Sequence, residues 1–147
     1  MRFNSFQKIV AAIYFLVVVC ITLIYGKRDL DDNYRRRANF DFFGQKWPYI
    51  NNFNTIGYKR QEFIVLEIIG NTLLFVPFFT ALYVLTNRRM GNVKAIAVLL
   101  LTILSVEGIQ FVLNRGVFDI DDIILNFAGG LVGLTAFNFI YRKYILK

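Results

Sequence analysis

Four stretches of mostly apolar residues, each near the length of a helix that crosses a bilayer, decide most of what this chain can fold into. A hydrocarbon core takes roughly 20 residues in helical form. Windows close to that run over Ile9–Tyr25, Phe63–Leu85, Val93–Leu113 and Ile123–Tyr141. Composition agrees: 56% of the 147 residues are hydrophobic and 17% aromatic, and the mean hydropathy is +0.50, too apolar for an ordinary soluble domain of this size. The expected fold class is an all-α membrane protein: one domain over residues 1–147, a bundle of four transmembrane helices. Asn71, Pro77 and Asn126 lie inside the second and fourth windows. They argue for helices packed on neighbours that accommodate polar or interrupted backbone, rather than isolated anchors.

The first window, over about residues 9–25, reads as a retained signal anchor. Arg2 and Lys8 precede it, no small-x-small cleavage pattern follows, and "VVVC" puts Val where a lipoprotein site needs a small residue before Cys20. Four spans place both termini on one side and the 26–62 and 114–122 connections on the other. Positive charge barely chooses between the sides: the terminal side carries Arg2, Lys8, Arg88, Arg89, Lys94, Arg142, Lys143 and Lys147, against eight Lys/Arg in the first connection and Arg115 in the second. The anchor with Arg2 and Lys8 in front of it favours cytoplasmic termini.

The net charge of +7 comes from residues beside apolar segments, not from one basic stripe. Membrane lipid headgroups are therefore the expected partner and nucleic acid is not. One Cys and no His exclude an intramolecular disulfide and a Cys/His zinc quartet. Cys20, inside an apolar run, is expected to pack.

The long first connection carries Phe40, Phe42, Phe43, Trp47, Tyr49, Phe53 and Tyr58 among its charges. Aromatic residues at this density favour the membrane interface. The chain is thus expected to have an aromatic-rich extracytoplasmic loop between helices 1 and 2, lying on the outer leaflet and capping the bundle.

Polar residues inside the apolar windows are not scattered. Glu67 and Asn71 are four apart; Glu107, Gln110 and Asn114 follow three-then-four spacing; Asp119, Asp122, Asn126, Gly129 or Gly130, and Gly133 continue a similar stripe. At about 1.5 Å per residue, Glu67, Glu107 and Asn126 each fall about 5–10 Å inside their window's end on the same side. Ionised groups facing lipid cost several kcal/mol each, so these should point inward and find partners. Arg115 is the expected cation among Glu67, Glu107, Asp119, Asp121 and Asp122. Gly129 and Gly133 form a small-xxx-small contact surface, with Gly70 expected to serve a similar contact, and Pro77 is expected to kink the second helix.

In order and content these residues resemble the VanZ-like family of membrane proteins, associated with teicoplanin resistance. The resemblance covers about residues 35–134. "GNTLLFVPFF" at 70–79, "SVEGIQ" at 105–110, Arg115, "DIDD" at 119–122 and "NFAGG" at 126–130 are similar to the family's elements, and Arg37-Ala-Asn39-Phe40 resembles its Arg-x-Asn-Leu element before the second helix. Phe79 stands where the family tends to have Gly, and Phe42 where the loop often has Pro. The resemblance implies a small multi-pass helical protein of the bacterial cytoplasmic membrane and cell envelope whose polar residues serve an outward-facing function. With Glu67, placed by helical spacing and depth, the expected polar site is Arg37, Asn39, Glu67, Asn71, Glu107, Gln110, Arg115, Asp119, Asp122 and Asn126.

Three readings of that site stay open. It can change target presentation or intercept a lipophilic glycopeptide at the outer leaflet, conferring tolerance to lipoglycopeptides such as teicoplanin. It can be an intramembrane enzyme acting on a lipid-linked cell-wall precursor or phospholipid, with Glu107, Asp119 and Asp122 as the acid-base carboxylates. Or it can be a structural network that locks helix register. Oxygen ligands of this kind suit Mg²⁺ or Ca²⁺, but no metal or cofactor is expected.

Overall fold

A computed structural model of the chain describes residues 2–25, 38–44, 46–113 and 117–144. Among them, four helical spans are long and apolar enough to cross a membrane: Ser5–Thr22, Tyr58–Leu85, Asn92–Val112 and Ile120–Lys143. In chain order the elements are α1 (Ser5–Tyr25), β1 (Ala38–Asn39), α2 (Trp47–Asn51), α3 (Tyr58–Phe75), α4 (Phe78–Leu85), α5 (Asn92–Val112), β2 (Phe118–Asp119) and α6 (Ile120–Tyr144). The chain is a four-span helical membrane protein, with α3 and α4 together forming the second span.

Pro77 explains why that span carries two labels. It has no N–H, and its ring crowds the preceding turn. The Val76 N–H instead closes a tighter turn onto the Leu73 carbonyl at 3.3 Å. From α1, the Tyr14 hydroxyl donates to the Leu74 carbonyl at 2.8 Å. A neighbouring helix thus supplies a donor at the interruption, as backbone in hydrocarbon requires.

The core lies where α4 meets α1, α5 and α6. Phe75, Phe78, Phe79, Tyr83, Leu99 and Ile103 are fully buried there, and Phe15 of α1 meets Phe78 edge to face with centroids 5.4 Å apart. Phe79 is a core residue at the position where the resembling family tends to have Gly. Phe6, Ile9, Val10, Ile13 and Leu16 of α1 remain exposed, the pattern of a helix whose outer face meets lipid.

Glycine sets the closest approach. A side chain on Gly129 would collide with the Thr72 carbonyl oxygen, and one on Gly133 with that of Val76, so α6 lies directly on the backbone of the second span. Gly130 differs, since a side chain there would meet the end of the Leu99 side chain of α5 rather than backbone. Gly70 behaves differently from the expectation: the space beside its Cα is open, so it is no packing glycine.

Two connections meet at one end of the bundle. β1 pairs in parallel with β2, Ala38 opposite Phe118 and Asn39 opposite Asp119. At the other end the Phe3 N–H donates to Asn87 Oδ1 at 3.0 Å, and Arg88 Nη2 to Asn138 Oδ1 at 3.3 Å. The N-terminal segment, the 86–91 turn and the last turns of α6 therefore share that end.

Candidate functional site

The site begins with the start of α6. Asp119 caps the helix, its Oδ1 accepting the Asp121 N–H at 3.0 Å, as a short acidic side chain at an N-cap does. Asp121 and Asp122 then occupy the first turn, where the helix dipole favours negative charge. Three carboxylates are thus gathered by sequence-local helix chemistry.

The first connection brings the partners. Asn39 Nδ2 donates to Asp119 Oδ1 at 3.1 Å, while Asn39 Oδ1 accepts the Asp41 N–H at 3.1 Å, the local turn typical of Asn. Phe43 has a left-handed φ of 56°, and its N–H donates to Asp121 Oδ1 at 2.8 Å. A non-glycine residue held there costs on the order of 1 kcal/mol. The charge-assisted bond to Asp121 accompanies that cost.

Lys46 is the centre. Its side chain is 7% exposed, and its Nζ lies 3.1 Å from Asp121 Oδ2, 3.2 Å from Asp119 Oδ2, 3.5 Å from Glu67 Oε1 and 3.6 Å from Asp122 Oδ1. Asn71 Nδ2 adds a bond of 2.7 Å to Asp122 Oδ1. One ammonium therefore ties the first connection to α3 and to α6. Burial on its own would lower the Lys46 pKa. Asp122, Glu67 and Asp119, with the hydrogen bond to Asp121, outweigh that and hold it well above the ordinary lysine range.

The same oxygens are the ones a hard cation would use. Glu67, Asp119 and Asp122 each offer one oxygen within 4.8 Å of the others, a donor set that suits Mg²⁺ or Ca²⁺. Lys46 Nζ lies 3.2–3.6 Å from an oxygen of each, so the lysine supplies a cation to that group of acids.

A family model described as VanZ/LLP1 matches residues 11–141, which is most of the chain. The chain belongs to the VanZ/LLP1 family. Among curated proteins it is similar to Protein VanZ of Enterococcus faecium, 37% identical over 71 residues, which make up 48% of this chain and 44% of that protein. The chain thus matches less than half the length of that relative. No solved structure matches it.

The residues anticipated for this VanZ/LLP1 member divide by place. Asn39, Glu67, Asn71, Asp119 and Asp122 meet around Lys46. Glu107 ends the buried line Ala95, Leu99, Ile103, Glu107 on α5. Because Leu99 faces Gly130 on antiparallel α6, a helical rise of about 1.5 Å per residue puts Glu107 near the level of Asp122. Asn126, 3% exposed, lies one turn beyond Asp122, and its Oδ1 has no hydrogen-bond partner among the described residues. Gln110 faces elsewhere: its Nε2 donates to the Thr22 carbonyl of α1 at 2.7 Å. Arg37 and Arg115 lie outside the described residues.

Lys46 was not anticipated in the cluster, and Asp121 was anticipated only among the acids around a cation, not in the polar site. Arg115 was the expected cation, whereas the cation the structure describes among these acids is Lys46. A lysine among loop aromatics reads as interfacial, and nothing in "GQKWPYI" marks it as buried. Asp121 falls off the Asp119, Asp122, Asn126 stripe. Its signal is the helix start itself: an acidic N-cap followed by acids in the first turn, whose side chains reach back over the terminus.

Proposed function

We propose that the chain confers tolerance to lipoglycopeptide antibiotics such as teicoplanin, acting at the outer leaflet of the bacterial cytoplasmic membrane with both termini in the cytoplasm. Family membership and the similarity to Protein VanZ support the reading. The observation that carries it is the joining of opposite chemistries in the first connection. Lys46 is buried in the ion cluster, while Phe40, Phe42, Trp47 and Tyr58 around it are 57–79% exposed. Exposed rings beside a fixed polar centre suit a ligand with an acyl chain and a polar peptide body. The rings meet the chain at the interface, and the ion cluster keeps the segment that bears them in place.

The enzymatic reading draws less support. Asp119 and Asp121 are occupied by Lys46, by Asn39 or by backbone N–H groups, and Asp122 by Lys46 and Asn71. Carboxylates so engaged are poor candidates for taking a substrate proton.

Expression in a sensitive Gram-positive host tests the proposal. Tolerance should rise more for teicoplanin than for vancomycin, and Phe42→Ala with Trp47→Ala should remove the rise at unchanged protein level. Equal tolerance with and without the protein would overturn it.

A further inference from the structure

The seven acidic residues among those the structure describes, Asp41, Glu62, Glu67, Glu107, Asp119, Asp121 and Asp122, belong to the end of the bundle that holds the two connections. The opposite end carries Arg2, Lys8, Arg88, Arg89, Lys94, Arg142 and Lys143 and, among the described residues, no acidic side chain. That charge is not diffuse. Thr135, Asn138, Phe139, Arg142 and Lys143 line a shallow groove of about 520 Å³ along the last turns of α6. Arg88 is fixed at its edge: its guanidinium lies 4.2 Å from the Tyr141 ring centroid, 4.7 Å from Tyr83 and 5.2 Å from Phe137, and Nη2 donates to Asn138. Its φ of 52° lies in the left-handed region, which a residue with a side chain rarely adopts.

We propose that this groove is a binding site for the headgroup of an anionic phospholipid, with the phosphate at Arg142 and Lys143 and an acyl chain along Phe139 and the apolar face of α6. Three observations favour a lipid over a soluble anion. The groove joins exposed cations to exposed Phe139, 66% accessible. It lies where α6 leaves the hydrocarbon, and among the described residues no acidic side chain at that end opposes a negative ligand. A basic residue near an anionic surface contributes about 1 kcal/mol, so losing two weakens binding by roughly tenfold or more. Topology control and the helix dipole also favour basic residues at this position, but neither distinguishes one phospholipid headgroup from another.

Purified protein in a neutral detergent, titrated with phosphatidylglycerol or with phosphatidylcholine of the same acyl chains and read by native mass spectrometry, separates these explanations. Wild type should bind phosphatidylglycerol at least several-fold more tightly. Arg142→Gln with Lys143→Gln should lower that affinity roughly tenfold, while Lys59→Gln with Arg60→Gln at the opposite end should leave it unchanged. Exchanging the charges, Arg142→Lys with Lys143→Arg, should keep binding and serves if the neutral pair does not fold. Millimolar inorganic phosphate should not displace the lipid; displacement would assign the site to a soluble anion. No headgroup preference, or an equal loss in both neutral pairs, would also overturn the proposal.

Discussion

Replacing Lys46 by Met keeps the length and packing of the side chain while removing a positive charge that four carboxylates face. Breaking a buried pair by deleting one partner costs about 3–5 kcal/mol, because the groups left behind keep their desolvation penalty. Here the remaining groups also repel one another. For a chain of this size each kcal/mol moves the midpoint by about 2–4 °C, so Lys46→Met should lower it by roughly 6–20 °C. Lys59→Met, at an exposed position, should change stability by less than about 0.5 kcal/mol. The assay is the surviving monodisperse fraction in detergent after heating, at one fixed heating rate because the midpoint of an irreversible unfolding depends on that rate. Asp121→Asn supplies the internal test. It retains an oxygen for the Phe43 N–H and removes one negative charge, so adding it to Lys46→Met should recover part of the loss, with a coupling of about 1–3 kcal/mol. A wild-type midpoint for Lys46→Met, or additive effects in the double variant, would refute a cluster held together by this ammonium.

The Lys46 pKa is raised on folding, so its contribution is fully present below the unfolded value of about 10.4 and is lost as pH rises through the higher folded value. The midpoint difference between wild type and Lys46→Met should therefore stay constant from pH 7 to pH 10 and shrink only above that, as a pH series of the same assay will show. Gly129→Leu and Gly133→Leu, which drive a side chain into the Thr72 and Val76 carbonyls, should abolish the monodisperse fraction. Gly70→Ala, with open space beside it in a helix interior, should be neutral or stabilise by about 0.5–1 kcal/mol. On intact cells an impermeant thiol reagent should label a cysteine at position 47 and spare one at position 90, in a Cys20→Ser background; the reverse pattern would invert the proposed orientation.

How much of this was legible in the sequence follows from which interactions are local. The four spans rest on hydrophobic length, which needs no tertiary information, and they appear with boundaries shifted by a few residues. The Gly129 and Gly133 contact and the Pro77 interruption were readable for the same reason, since backbone approach and a missing N–H are properties of the residue itself. Asn71 and Asp122 were placed together by helical spacing and depth. Gln110 shares nearly the same spacing as Glu107 yet faces α1: a three-residue step turns the helix by about 300°, leaving about 60° between the two side chains, and a one-helix pattern cannot say which neighbour fills each direction. Lys46 was hidden for a different reason. Its burial comes from a loop that folds back onto the first turn of α6, and no periodicity records a loop's path. Gly70 reads the same as Gly129 in sequence, and only the position of the next helix separates them.

The account depends on the two connections meeting at one end, over the start of α6. Cysteines at Ala38 and Phe118, opposite one another in the parallel pair, test that meeting without touching Lys46 or its acids. Adjacent strands lie about 4.8 Å apart, within the Cα separation that a disulfide spans. In native membranes, in a Cys20→Ser background, the 38–118 pair should cross-link readily under mild oxidation, and a 38–90 pair, which places its cysteines at opposite ends of the bundle, should not. Failure of 38–118 in folded protein, or equal cross-linking of both pairs, would contradict the account.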